Sequence, residues 1–180
     1  MEITDLLRQA HEGDADSLKA VIPLVYEELK ALASSHLRRE HAEKPVQTTV
    51  LVHEAFIRLA GSPLPECANR SHFFGIAARV MRQVLVDMAR ARRAEKRGAG
   101  VEVALADLPD VGAFRDSAFL ALDEALNRLA VECPLKNRLI ELQFFGGLTA
   151  QESADILGLP VQTVRKELRL AKAWLLHDLG

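Results

Sequence analysis

Apolar residues return every third or fourth position along most of this chain. Leu18, Val21, Ile22, Val25, Leu29, Leu32 and Ala33 keep the spacing that gathers side chains on one face of an α-helix. Pro23 lies inside that run and predicts a kink or a delayed start. A second helix is expected from about Thr48 or Thr49, burying Leu51, Val52, Ala55, Phe56 and Leu59, and ended by Gly61-Ser62-Pro63-Leu64-Pro65. A third runs from about Ser71 to Arg97, with Phe73, Ala77, Met81 and Val84 among its inward residues. Gly98-Ala99-Gly100 breaks it, and the stretch to Asp116 carries no helical period. Four more helical segments follow, at 117–131, 134–145, 150–157 and 161–178.

This pattern predicts an all-α protein: two small helical domains, 1–97 and 117–180, joined by a flexible acidic linker over 98–116. Composition agrees, because Ala and Leu are abundant and aromatics are only 5% of the residues, which disfavours strands. The longest stretch without a charged residue is Leu142–Gln151, too short to cross a bilayer. The first residues show no basic region followed by an apolar core, so a cytoplasmic protein without a membrane partner is expected. Cys67 and Cys133 have no close cysteine companion, which argues against a disulfide scaffold or zinc ribbon.

Charge changes the picture more than composition does. The net charge is only −2, yet residues 79–97 carry seven bases (Arg79, Arg82, Arg90, Arg92, Arg93, Lys96 and Arg97) against Asp87 and Glu95. Residues 98–120 then hold four acids and one base. A local basic stripe inside a nearly neutral chain points to contact with a polyanion over part of the surface.

The segment from Ala150 to Leu170 has the pattern of a helix-turn-helix. Thr149 with Glu152 three residues on makes a capping box, Ala154 is small where two helices would approach, and Gly158-Leu159-Pro160 makes the turn. In the last helix Val161, Val164, Leu168, Ala171 and Leu175 form an apolar face. Gln162, Thr163, Arg165, Lys166, Arg169 and Lys172 remain outside it, and these residue types contact phosphates and base edges in a major groove.

Catalysis is not expected. His53-Glu54-Ala55-Phe56-Ile57 opens like a zinc-binding HExxH, but Ile57 stands where the second histidine belongs. No phosphate-binding glycine loop and no nucleophile elbow is present, and the histidines have no metal spacing, so no metal or cofactor is expected.

Three stretches together resemble the bacterial RNA polymerase sigma factors of the extracytoplasmic-function (ECF) type, within the sigma-70 family. They are Leu51 to Leu59, Phe73 to Arg82 running on to the Arg90–Arg97 cluster, and the helix-turn-helix ending in Ala171-Lys172-Ala173-Trp174-Leu175. The resemblance implies that the chain binds core RNA polymerase and directs transcription from particular promoters. It implies core-polymerase contacts at Leu51, Val52, Glu54, Ala55, Phe56 and Arg58. The −10 element would be met by Asn69, Arg70, Arg79, Arg82, Arg90, Arg92 and Arg93. The −35 element would be met by Gln162, Thr163, Arg165, Lys166, Arg169 and Lys172.

In most such sigma factors, acidic residues directly precede the core-binding helix. Here that place reads Gln47-Thr48-Thr49-Val50, with no carboxylate. A phosphothreonine carries about −1.5 to −2 charges and is favoured at a helix N-terminus. The expectation is that a Ser/Thr protein kinase supplies the missing charge at Thr48 or Thr49, the alternative being that these residues merely cap the helix. An anti-sigma factor is a further possible partner. Two other classes compete on the residues alone: a helix-turn-helix regulator whose N-terminal helices bind a ligand or partner, and a helical adaptor that touches only proteins.

Overall fold

In a computed structural model the described residues are 3–39, 45–60, 70–98 and 111–180. Among them every regular element is helical. The order is α1 (Ile3–His11), α2 (Ala15–Arg39), α3 (Pro45–Ala60), α4 (Arg70–Gly98), α5 (Val111–Glu132), α6 (Pro134–Ile140), α7 (Ala150–Leu157) and α8 (Val161–Asp178). A π-helical turn over Glu141–Phe145 extends α6 without a break.

In the first half the helices pack in series, α1 on α2, α2 on α3 and α3 on α4. Leu6 and Ala10 of α1 pack on α2, whose Val21, Val25 and Leu29 face Leu51, Val52, Ala55 and Leu59 of α3. Tyr26 and Phe56 meet edge to face at 6.2 Å between ring centres, joining α2 to α3. Helix α2 is continuous through Pro23 from Ala15, so the late start that the proline allowed does not occur. Pro23 itself is exposed, and its flanking turns are pinned by buried Val21 and Val25. That burial outweighs the ~3 kcal/mol cost of an interior proline.

Other boundaries also differ from the sequence pattern. Helix α3 begins at Pro45, where proline's missing N–H is harmless in the first turn. Thr48 and Thr49 therefore lie inside the helix and do not cap it. Helix α5 begins at Val111, so the end of the expected 98–116 linker is helical; 99–110 fall outside the described residues. The α1 segment was not anticipated at all.

The second half packs α5, α6, α7 and α8 around Leu126, Leu129, Leu139, Phe145, Val164 and Leu168. The two halves share one continuous apolar core, because α4 lies against α5, α7 and the π-turn. Close approach is possible there because the residues are small. A Cβ at Gly75 would sit 3.1 Å from Arg138 Nη2 and 3.2 Å from Leu142 Cδ2. A Cβ at Gly146 would meet Ala78 Cβ at 3.1 Å and the Leu142 carbonyl at 2.6 Å.

Candidate functional site

The C-terminal helix pair has the geometry its sequence predicts. Thr149 caps α7: its hydroxyl accepts from Glu152 N–H at 3.2 Å, and Glu152 Oε2 accepts from Thr149 N–H at 2.8 Å. Gly158 ends the helix in the left-handed region at φ 62°, ψ 34°, a conformation that costs a side-chain-bearing residue about 1–2 kcal/mol. Pro160 then opens α8 in an extended conformation. Ala154 and Val164 are buried at the crossing, and Leu168, Ala171 and Leu175 continue the inner face.

With that face fixed, Gln162, Arg165, Lys166, Arg169 and Lys172 are exposed and Thr163 is half-buried. Arg165 and Arg169, four apart, share one face of α8. Lys172 stands further along, on the lip of an apolar groove of about 450 Å³ lined by Leu122, Ile140, Phe144, Leu175, Leu176 and Leu179. The exposed stripe of α8 thus turns from cationic to apolar between Arg169 and Leu176. Helix α8 is tied to α5 by Trp174 Nε1, which donates to Glu132 Oε2 at 3.0 Å, and by Arg128 paired with Asp178.

On α3, Leu51, Val52 and Ala55 are fully buried and Phe56 and Arg58 half-buried, so of the expected contact residues only Glu54 is fully on the surface. The outward face adds Val50 and Ile57, 45% and 50% exposed, which the sequence reading did not single out. Their seven-residue separation on one face of an amphipathic helix was the available signal. The Thr48 and Thr49 side chains, Asn69, and the Arg70 side chain lie outside the described residues.

The basic stripe of α4 is where expectation and structure differ most. Arg90 is exposed and Arg93 half-buried, but Arg82 is only 8% exposed and belongs to a network with the second half. Its Nε donates to Asp123 Oδ1 at 2.8 Å, Nη1 to Glu141 Oε1 at 2.8 Å, and Nη2 to Asn127 Oδ1 at 2.8 Å and to the Asp123 carbonyl at 3.1 Å. Arg79 and Arg138 both reach the other oxygen of Glu141, at 3.5 and 3.3 Å. Burial, and next the neighbouring Arg79 charge, hold the Arg138 guanidinium below its ordinary value, with Glu141 opposing both. Arg92 lies against Asp116, with Nη2 to Oδ1 at 2.6 Å. The open cationic track expected over 79–93 is therefore partly closed, because Arg82 and Arg92 are held by buried carboxylates of α5 and the π-turn.

Beside this network a cleft of about 540 Å³ opens between α4 and α5, lined by Arg58, Arg79 and Arg90 as well as Asp87 and Asp123. Arg58 is paired with Asp87 at 2.8 Å. No cluster of potential metal ligands occurs among the described residues. His53 stands exposed on α3. No helix among the described residues is long and apolar enough to cross a membrane.

Among the described residues, then, every regular element is helical, and the C-terminal pair has a capped first helix, a glycine turn and a second helix with an exposed basic face. The family described as ECF sigma factor matches residues 1–180, and the chain belongs to that family. Its members direct transcription initiation as subunits of RNA polymerase and are not enzymes. No curated protein matches the chain.

Proposed function

We propose that this chain confers promoter specificity on RNA polymerase from the cytoplasm, with one surface for the enzyme and two for DNA. The polymerase surface is the outer face of α3, where Val50, Glu54 and Ile57 stand exposed and Phe56 and Arg58 flank them. Buried Leu51, Val52 and Ala55 act from behind by fixing that face. The −35 element is read in the major groove by Gln162, Thr163, Arg165, Lys166 and Arg169, with Lys172 at the margin. The −10 element is met by Asn69, Arg70 and the α4 arginines 79, 82, 90, 92 and 93. The observation that carries this reading is the exposed Arg165–Arg169 stripe, presented on a helix whose entry is set by the Thr149–Glu152 box and the Gly158 turn.

Control falls to a Ser/Thr kinase acting at Thr48 or Thr49, with an anti-sigma factor as the other class of controlling partner. Helix α3 has no acidic residue in its first turn. Thr48 lies among the first four residues, whose N–H groups have no intrahelical partner, so a phosphate there meets the positive end of the helix. The test is a titration of fluorescently labelled core polymerase with the unmodified chain and with Thr48→Glu and Thr49→Glu. Weak binding by the unmodified chain and rescue by either variant supports both surface and switch. Tight binding by the unmodified chain removes the switch, and no binding even after kinase treatment removes the polymerase surface.

A further inference from the structure

We propose that the apolar groove between α5, the π-turn and α8 binds a free fatty acid of medium chain length, its alkyl chain laid along α8 and its carboxylate on Lys172. The floor and rim of the groove differ in exposure. Ile140 and Leu175 are buried in the floor, while Phe144, Leu176 and Leu179 stand at the rim, Leu176 with 75% of its surface in solvent. A lone exposed leucine is ordinary on a protein surface. Three large apolar side chains around one apolar floor instead leave a strip of hydrocarbon in water, which the hydrocarbon of a ligand would cover.

The polar groups at the groove select the class of ligand. Among the described residues that line it, Lys172 is the one charged side chain and Gln143 the other polar one, so no carboxylate there repels an anion. Lys172 is exposed on the lip. A carboxylate placed on it stays partly hydrated while the chain behind it is buried, which avoids the cost of burying a charge.

Size decides against a protein occupant. A stable protein interface covers about 800 Å² on each partner. From Lys172 to Leu179 the groove follows only two turns of α8, about 10.5 Å. Before Lys172 the exposed stripe becomes cationic at Arg169 and Arg165, so the apolar strip does not continue. With C–C bonds of about 1.5 Å, an extended chain of about eight to ten carbons covers that length. The volume of about 450 Å³ is that of a small-molecule site.

Occupancy also reaches the DNA-reading side of α8, a consequence that rests on the promoter reading given above. Lys172 lies three residues from Arg169, within one turn of the same helix. A carboxylate held on Lys172 removes one cation from the stripe and sets an anion close to the next.

The test is calorimetric titration of the full chain with hexanoate, octanoate and decanoate, each below its micelle concentration, and with decanol. Affinity is expected to rise about two- to fourfold per methylene, the lower figure allowing for the open side of the groove. Lys172→Gln is expected to weaken decanoate about three- to fivefold and to leave decanol unchanged. Leu176→Asp and Leu179→Asp, both at exposed positions where folding is not at stake, are expected to abolish binding of either ligand.

Binding that survives Leu176→Asp and Leu179→Asp overturns the site. If Lys172→Gln weakens decanoate and decanol alike, or neither, the anionic class is wrong. Binding to anionic phospholipid vesicles without binding of the free acid overturns the proposal in favour of a membrane surface. A dimer that forms at rising concentration and that decanoate leaves intact overturns it in favour of a second copy. Fluorescence anisotropy of the polymerase complex on a promoter duplex reads the consequence: saturating decanoate is expected to lower affinity about threefold, and not in the Leu176→Asp complex. If decanoate binds and promoter affinity does not move, the place of Lys172 beside DNA is wrong while the fatty-acid site stands.

Discussion

Arg92 of α4 lies side-on to the carboxylate of Asp116, with Nε 3.0 Å from Oδ2 and Nη2 2.6 Å from Oδ1. The carboxylate is buried while the guanidinium keeps 38% of its side chain in solvent, so the partners are unequal. Removing the exposed one strands a buried charge. Arg92→Ala is expected to cost about 2 kcal/mol in urea denaturation, and Asp116→Asn less, since a neutral amide replaces the charge.

Arg82 carries the heavier structural weight. Its loss leaves Asp123 and Glu141 buried without their shared partner, so Arg82→Ala is expected to destabilise the chain by about 3–5 kcal/mol. Arg90→Ala, on the same helix but exposed, should stay within about 0.5 kcal/mol. Thermal unfolding of the pair checks the contrast; equal effects would show that the network contributes nothing particular.

Two glycines are expected to fail for different reasons. At Gly158 a Cβ meets nothing within 4 Å, so Gly158→Ala carries only the left-handed backbone penalty, about 1 kcal/mol. At Gly146 the backbone is ordinary, but the added atom strikes the Leu142 carbonyl, so Gly146→Ala is expected to cost about 2–3 kcal/mol. Chemical denaturation of both variants reads the order directly.

Acid should release the α2 cap. The side chain of Ser17, and next its N–H, which donates to Asp14 Oδ2 at 3.0 Å, hold the Asp14 carboxyl below its ordinary value of 3.8. The Ser17 hydroxyl also sits 2.8 Å from Gln9 Oε1, so its single proton is contested. A group whose folded pKa is depressed adds stability above its unfolded value and loses it as pH falls through the folded one. The Asp14 contribution is therefore present above about pH 4 and disappears below it, and Asp14→Asn should flatten that part of the acid-denaturation curve.

The α8 stripe makes a prediction in salt. Replacing Arg165 or Arg169 with Ala should weaken promoter binding of the polymerase complex. An arginine on a phosphate should lower the slope of log affinity against log salt by about 1, whereas one on a base edge should instead relax sequence preference by about 1–3 kcal/mol at one position. Filter binding across a salt series tells them apart.

The shape of the C-terminal helix pair could be read from the sequence because each device in it is local: a cap three residues from its partner, a glycine at the stop, an apolar face at period 3.6. The Arg82 network could not, since Asp123 and Glu141 lie 41 and 59 residues away. A weaker signal was present. Arg82 continues the spacing of buried Ala78, Leu85 and Ala89, and Glu141 interrupts an apolar run between Ile140 and Leu142. A charge in a core position asks for an opposite charge facing it. The start of α5 inside the expected linker has a similar cause, because buried Asp116 is held by Arg92 of another helix. The π-turn left no trace in periodicity that a run of only five residues could carry.

That π-turn acts as a phase shifter. Gly146 N–H donates to the Glu141 carbonyl five residues back, one further than an α-helix allows. The extra residue offsets the azimuth of everything downstream of it by about 100° relative to an unbroken helix. Deleting a single residue between Leu142 and Phe144 would give a more regular helix, yet Glu141 and Phe145 could no longer point at their separate targets together. The shorter chain would turn α7 and α8 relative to α5 and α6 and lose the alignment of the π-turn on α4.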